Sequence, residues 1–152
     1  MRLALEERAV RDALALAPVT LIVAGKAAEG MVAGLLSSVS IEIRGGVAVG
    51  PVSRAVMPNG VSWYQGGHPL PDEGSVEAGS AARQCVAEAP ESGVVLVVLS
   101  GGASALLALP VAGLVLEDKI ATTRTLLDAG VTIHYLNCVR TVYYTHLRDH
   151  ET

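Results

Sequence analysis

Three short clusters carry residues whose types and spacing could do chemistry. In the first, Ser100, Gly101, Gly102, Ala103 and Ser104 follow six apolar residues, Val94 to Leu99, and precede a further apolar run over residues 105–109. A strand, a small-residue turn and a helix start bring free N–H groups and a helix dipole to one point, which favours negative charge. The implied ligand is phosphorylated or carboxylated, although such a turn can equally mark tight helix–sheet packing. The spacing is not that of a Walker A loop, and G-x-G-x-x-G does not occur. In the second cluster, Lys26 follows Gly25 at the end of the apolar run Val19 to Ala24, and the chain has only one other lysine, Lys119. An ammonium there could hold a phosphate or neutralise charge developing in a transition state; the other reading is a solvated lysine in a first helical turn. The third cluster is Gly66-Gly67-His68-Pro69-Leu70-Pro71-Asp72-Glu73. Its two prolines favour an extended, rigid turn. His68 is either a general base or hydrogen-bond donor to substrate, or a structural histidine. For Asp72, capping of the helix that begins at Glu73 is favoured over metal binding, and no metal site is assigned.

The elements that must position these clusters alternate in the βαβ manner. Apolar residues at helical spacing predict helices over residues 3–17, 26–38, 73–88 and 116–129. Glu117 and Asp118 lie in the first turn of the last of these, where the dipole favours acids. Short apolar runs predict strands at Val19 to Ala24 and Val94 to Leu99, with a smaller one at Val61 to Gln65. The 94–99 run is expected to be buried on both faces, as in a parallel sheet. Residues 41–52 suggest one or two short strands around a Gly45-Gly46 turn, and Pro58-Asn59-Gly60 is a turn signal. This order predicts an α/β protein with a doubly wound, mostly parallel sheet, whose ligands sit beyond the carboxyl ends of the strands.

Composition sets the bounds. At 152 residues the chain suits one domain with a sizeable core. A net charge of -4 gives no reason to expect nucleic-acid binding. No apolar run reaches the ~18 residues needed to span a bilayer, and charged residues break up the N-terminal segment, so a cytoplasmic protein without membrane partners is expected. Cys85 and Cys138 lie far apart and read as unpaired thiols.

Four motifs occur in order: Gly25-Lys26-Ala27-Ala28 with Met31; His68-Pro69-Leu70-Pro71-Asp72; Leu99 through the glycine turn to Leu107; and Asn137-Cys138-Val139-Arg140. Together they resemble the N-terminal part of the bacterial glycerate 2-kinase family, whose C-terminal part is the MOFRL domain. The resemblance implies a Rossmann-like N-terminal domain, a cleft between two domains, and ATP-dependent phosphorylation of D-glycerate at its 2-hydroxyl. It makes Lys26 a contact to substrate or phosphate, and Ser100, Gly101, Gly102, Ala103 and Ser104 the phosphate loop. His68 and Asp72 match the family's histidine–proline–aspartate loop, while Asn137 and Arg140 match a polar pair near the cleft. Arg140 could clamp a carboxylate or phosphate, or be a surface arginine. Two departures stand out: Ala103 replaces a third glycine, and Tyr135 stands where the family's glutamate is expected. ATP with Mg²⁺, the usual partner of transferred phosphates, and D-glycerate are the expected small molecules; a homo-oligomer is compatible with the pattern.

After Arg140 the chain leaves the family's pattern. Two of its four tyrosines and two of its four histidines fall within residues 141–152. That segment resembles translated adapter sequence from library preparation. Residues 1–141 are therefore expected to be a partial N-terminal domain and residues 142–152 a non-native tail, with the C-terminal domain lacking and the fragment inactive by itself. The i,i+4 pair His146 and His150 is then not a metal site. Members of this family are often labelled hydroxypyruvate reductases, but a nicotinamide-dependent reductase is disfavoured by the missing dinucleotide fingerprint. A non-catalytic anion-binding module is the other alternative.

Overall fold

The computed structural model describes residues 8–52, 56–110 and 113–145. They divide into two compact units, 1–109 and 110–152, each taken by itself below. His146 and His150 lie outside the described residues.

The first unit is built on β1 (Val19–Ala24), β2 (Ile43–Gly50), β3 (Val61–Gln65) and β4 (Val94–Leu99), all parallel, in the spatial order β3-β2-β1-β4. Central β1 is buried at all six positions, the polar Thr20 among them, in keeping with its mostly apolar sequence. Helices cover both faces, so the doubly wound α/β expectation holds. On one face Val19, Leu21 and Val23 pack with Leu14 of α1 (Arg8–Leu16) and with Val32 and Leu35 of α2 (Ala28–Ser38). Each such side chain contributes about 1.5–3 kcal/mol on full burial. On the other face Ile22 and Val47 meet Ala82, and Ala24 and Val49 meet Ala78, all through α3 (Glu73–Ala87). The small residues at 78 and 82 let that helix lie close to the sheet.

Three local expectations are corrected. Gly45 and Gly46 do not form a turn but continue β2, because a Cβ at Gly46 would press on the Leu21 carbonyl of the neighbouring strand. Strand β4 is not buried on both faces. Among the described residues it is an edge strand, and Val95, Val97 and Leu99 are 40%, 53% and 60% exposed while the alternate residues pack inward. Lastly, the helix expected after the glycine turn is a single turn, α4 (Ala103–Leu106), which ends at Leu107.

The second unit holds α5 (Leu116–Asp128) and α6 (Ile133–Thr145). At the start of α5 the Val115 N–H donates to Asp118 (3.1 Å), so this acid caps as well as complements the dipole. Helix α6 has no counterpart in the expected elements. Among the described residues no helix is long and apolar enough to cross a membrane.

Candidate functional site

The strand order reverses between β1 and β4, since the chain runs outward from β1 to β2 and β3 and then returns to β1's other side. A crevice at the carboxyl ends of two such strands is the favoured ligand position in open parallel sheets. Residues 25–27 and 100–102 meet there, 73 positions apart in sequence.

Backbone hydrogen bonds stitch these loops together. Ser100 N–H donates to the Ala24 carbonyl (2.9 Å), and Lys26 N–H donates to the Gly101 carbonyl (2.9 Å). The Ser100 hydroxyl accepts from the Ala27 N–H (3.1 Å). Ala27 is the N-cap of α2 and has no side-chain cap of its own; Ser100, in the loop after β4, satisfies the Ala27 N–H itself. Close approach demands glycine at 25, whose φ is +136° and whose missing Cβ would overlap the Ser100 hydroxyl. Gly25 N–H donates to Val49 (3.1 Å) and Ala28 N–H to Gly25 (3.1 Å). All four amides from Gly25 to Ala28 are therefore bonded within the protein, and only the Lys26 side chain is left to act outward.

The glycine turn is arranged differently. Ala103 N–H closes onto the Ser100 carbonyl at 3.3 Å. Among the described residues the amides of Gly101 and Gly102 have no protein acceptor. Gly102 has φ +88°, a left-handed conformation that glycine adopts without penalty. A Cβ there would lie 2.6 Å from His68 Cδ2, 2.9 Å from His68 Nε2 and 3.3 Å from Lys26 Cγ. At Gly101 the nearest such contact is Lys26 Cε, at 3.6 Å. The lysine stem thus runs along the turn and the imidazole edge lies against it. Lys26, His68, Gly101 and Gly102 are gathered at one point, with Lys26 and His68 exposed and Gly102 half-buried. A four-residue α4 carries little dipole, so negative charge at this point would be met by the lysine ammonium and two amides rather than by a helix.

The loop that delivers His68 contains a cis peptide between His68 and Pro69. It ends at Asp72, the N-cap of α3, whose carboxylate accepts from the Ser75 N–H (2.9 Å) and the Ser75 hydroxyl (3.0 Å). The capping expectation for Asp72 is met. Ser75 is a residue that sequence reasoning passed over. It is fully buried, and its oxygen also accepts from Gly67 N–H (3.0 Å) and Asp72 N–H (3.2 Å). The Asp-x-x-Ser spacing at a helix start was the available signal, a variant of the capping box with serine at the third helical position.

Asn137 is exposed on α6, and the Arg140 backbone lies one turn further along the same helix. Both belong to the second unit. Tyr135 is 65% exposed, and Cys138 Sγ lies 3.9 Å from His134 Nε2. Both cysteines are free thiols. Burial, followed by the Glu88 charge, pushes the Cys85 thiol up from its ordinary range.

Residues 2–144 match a family model described as Domain of unknown function (DUF4147). A D-glycerate 2-kinase from Thermotoga maritima is 35% identical over 138 residues, covering 88% of this chain and 33% of that protein. A protein from Agrobacterium vitis that carries a hydroxypyruvate reductase name is 38% identical over 117 residues, covering 77% of this chain and 30% of that protein. The crystal structure of a Thermotoga maritima glycerate kinase superposes with a TM-score of 0.72 at 32% identity, over 91% of this chain and 33% of that chain. This chain therefore spans about a third of the length of these relatives. With the sheet, the crevice and the match over nearly its whole length in agreement, the chain belongs to the family described as Domain of unknown function (DUF4147).

Proposed function

We propose that this chain is the N-terminal part of a glycerate 2-kinase, which transfers the terminal phosphate of ATP to the 2-hydroxyl of D-glycerate. The observation that carries the reading is the convergence of Lys26, His68 and the Gly101-Gly102 amides where the strand order reverses, in a chain similar to a D-glycerate 2-kinase. In the reaction the 2-hydroxyl oxygen bonds to the γ-phosphorus, the bond from that phosphorus to the ADP oxygen breaks, and the hydroxyl proton leaves. The protein's task is mainly positioning and charge neutralisation. The Lys26 ammonium and the two amides suit an anionic oxygen of phosphate or carboxylate. His68 is placed to take the hydroxyl proton or to hydrogen-bond the substrate. Mg²⁺ would arrive with the nucleotide phosphates. In this reading Ser104 and Ala103 belong to the site at the end of the turn, with Ser100 and Asp72 as its supports, and Asn137 and Arg140 are the second unit's candidates for holding an anionic oxygen. On the same reading residues 1–141 belong to the family's N-terminal domain and residues 142–152 do not. The protein works in the cytoplasm.

The test is a coupled assay of ADP release with D-glycerate by the full-length protein, with product identified as 2-phosphoglycerate. Lys26→Met should lower kcat/KM on the order of 10²–10³-fold, as loss of a transition-state charge partner does. NADH oxidation with hydroxypyruvate and no ADP release would replace the reading by a reductase. Nucleotide binding without turnover would replace it by an anion-binding module.

A further inference from the structure

The geometry points to Ser75 as a positioning residue that holds His68 in the site. Its hydroxyl oxygen is the shared acceptor for two amides at opposite ends of one loop, Gly67 N–H before His68 and Asp72 N–H after it. The same hydroxyl donates to Asp72 Oδ1. Ser75 is fully buried in the first turn of α3. Without the hydroxyl both amides lose this acceptor. Ser75 does not reach the glycine turn itself; it acts through the loop. Fixing both loop ends to the rigid helix leaves His68 against Gly102, with its imidazole edge beside the turn and the Lys26 stem. Packing adds a further constraint, because a Cβ on Gly66 would lie 2.9 Å from the Ser75 hydroxyl and 2.7 Å from the Leu106 carbonyl. The loop is thereby clamped between α3 and α4. The bond from Asp72 N–H to the Ser75 hydroxyl is also one half of the α3 capping box, whereas the other half, from Ser75 N–H to Asp72 Oδ1, does not need the hydroxyl. The catalytic consequence rests on the reading of the crevice as a glycerate site; the structural one does not.

Ser75→Ala in the full-length protein tests the inference, with Ala82→Gly two turns along α3 as a control that weakens the same helix away from the loop. Two readouts are compared: the His68 ring signals in a carbon–proton NMR spectrum, and kcat and KM for D-glycerate. The expected result is that Ser75→Ala alone moves the His68 signals and lowers kcat by about 10- to 100-fold, the scale of a misplaced reacting group. Unmoved His68 signals in Ser75→Ala overturn the inference, as does equal movement in both variants. Moved signals with unchanged kcat and KM overturn its catalytic part. If the wild type does not phosphorylate D-glycerate, the kinase reading fails, and the His68 signals still decide whether Ser75 positions the loop.

Discussion

Replacing Gly102 by alanine separates backbone strain from site disruption, because the fold contains a matched control. Gly102 and Gly60 share nearly the same left-handed φ, +88° and +82°. A Cβ at Gly60 meets nothing nearer than the Arg44 carbonyl oxygen at 3.4 Å, an ordinary contact, whereas at Gly102 it lies 2.6 Å from the His68 ring. Both substitutions should cost about 1–2 kcal/mol for placing a side chain in the left-handed region. At Gly102 the obstruction is an exposed imidazole and an exposed lysine stem, so relief comes by turning side chains rather than by moving strands. An added about 0.5–1.5 kcal/mol, the scale of an off-rotamer side chain, is the expected excess. Urea denaturation of both variants measures that difference directly. Activity should diverge much further: Gly60→Ala leaves kcat/KM near wild type, and Gly102→Ala lowers it on the order of 10²-fold by displacing His68 and Lys26 together. If Gly102→Ala matches Gly60→Ala in both stability and activity, His68 and Lys26 do not crowd the turn and the site as described is wrong.

Three further outcomes follow from the same structure. Gly30, inside α2 with open space around it, should tolerate alanine with a gain of about 0.5–1 kcal/mol in urea denaturation; a loss would mean the helix is not formed there. Ser100→Ala removes the acceptor for the Ala27 N–H and should cost about 1 kcal/mol, read as a lower denaturation midpoint, while Ser104→Ala, outside that bond, serves as comparison. The Cys85 thiol, pushed up first by burial and then by the Glu88 charge, carries less thiolate than an ordinary thiol at any pH below its titration. It should react with a disulfide reagent more slowly than exposed Cys138 near pH 8, with the gap narrowing as pH rises past the usual thiol range. Equal rates at pH 8 would contradict the burial seen for Cys85.

Much of the fold is legible in the chain because the relevant signals are local. Two six-residue segments, one mostly and one wholly apolar, bounded by Pro18 and Gly25 and by Gly93 and Ser100, specify β1 and β4 to the residue. Asp72 before a helical pattern marks the start of α3. The misreadings share one cause, which is that burial and close approach depend on neighbours distant in sequence. The run Val94–Leu99 is equally compatible with a central and an edge strand, and only the tertiary structure sets it at the edge of the described sheet and leaves Val95, Val97 and Leu99 exposed. Gly45-Gly46 resembles a turn until the adjoining Leu21 backbone shows why no side chain fits. The Asp-x-x-Ser spacing marks Ser75 as half of a capping box, but nothing local reveals that Gly67 at the other end of the loop also donates to it.

For the site, residue types and their place at strand ends were determined by the sequence itself: a lysine after β1, a histidine in a proline loop after β3, and glycines after β4. Which of these meet was decided by the tertiary structure. The return of the chain from β3 across the sheet to the far side of β1 sets β4 beside β1, and pairing in register brings Ala24 opposite Leu99. That pairing carries Lys26, His68 and Gly102 to one place, although 76 positions separate the first from the last. It also places the Ser100 hydroxyl against the Ala27 N–H at the start of α2 and sets the lysine side chain beside Gly101 and Gly102. The physical reason is that a parallel sheet fixes neighbours by hydrogen-bond register across strands, an interaction between segments that no single stretch of the chain contains.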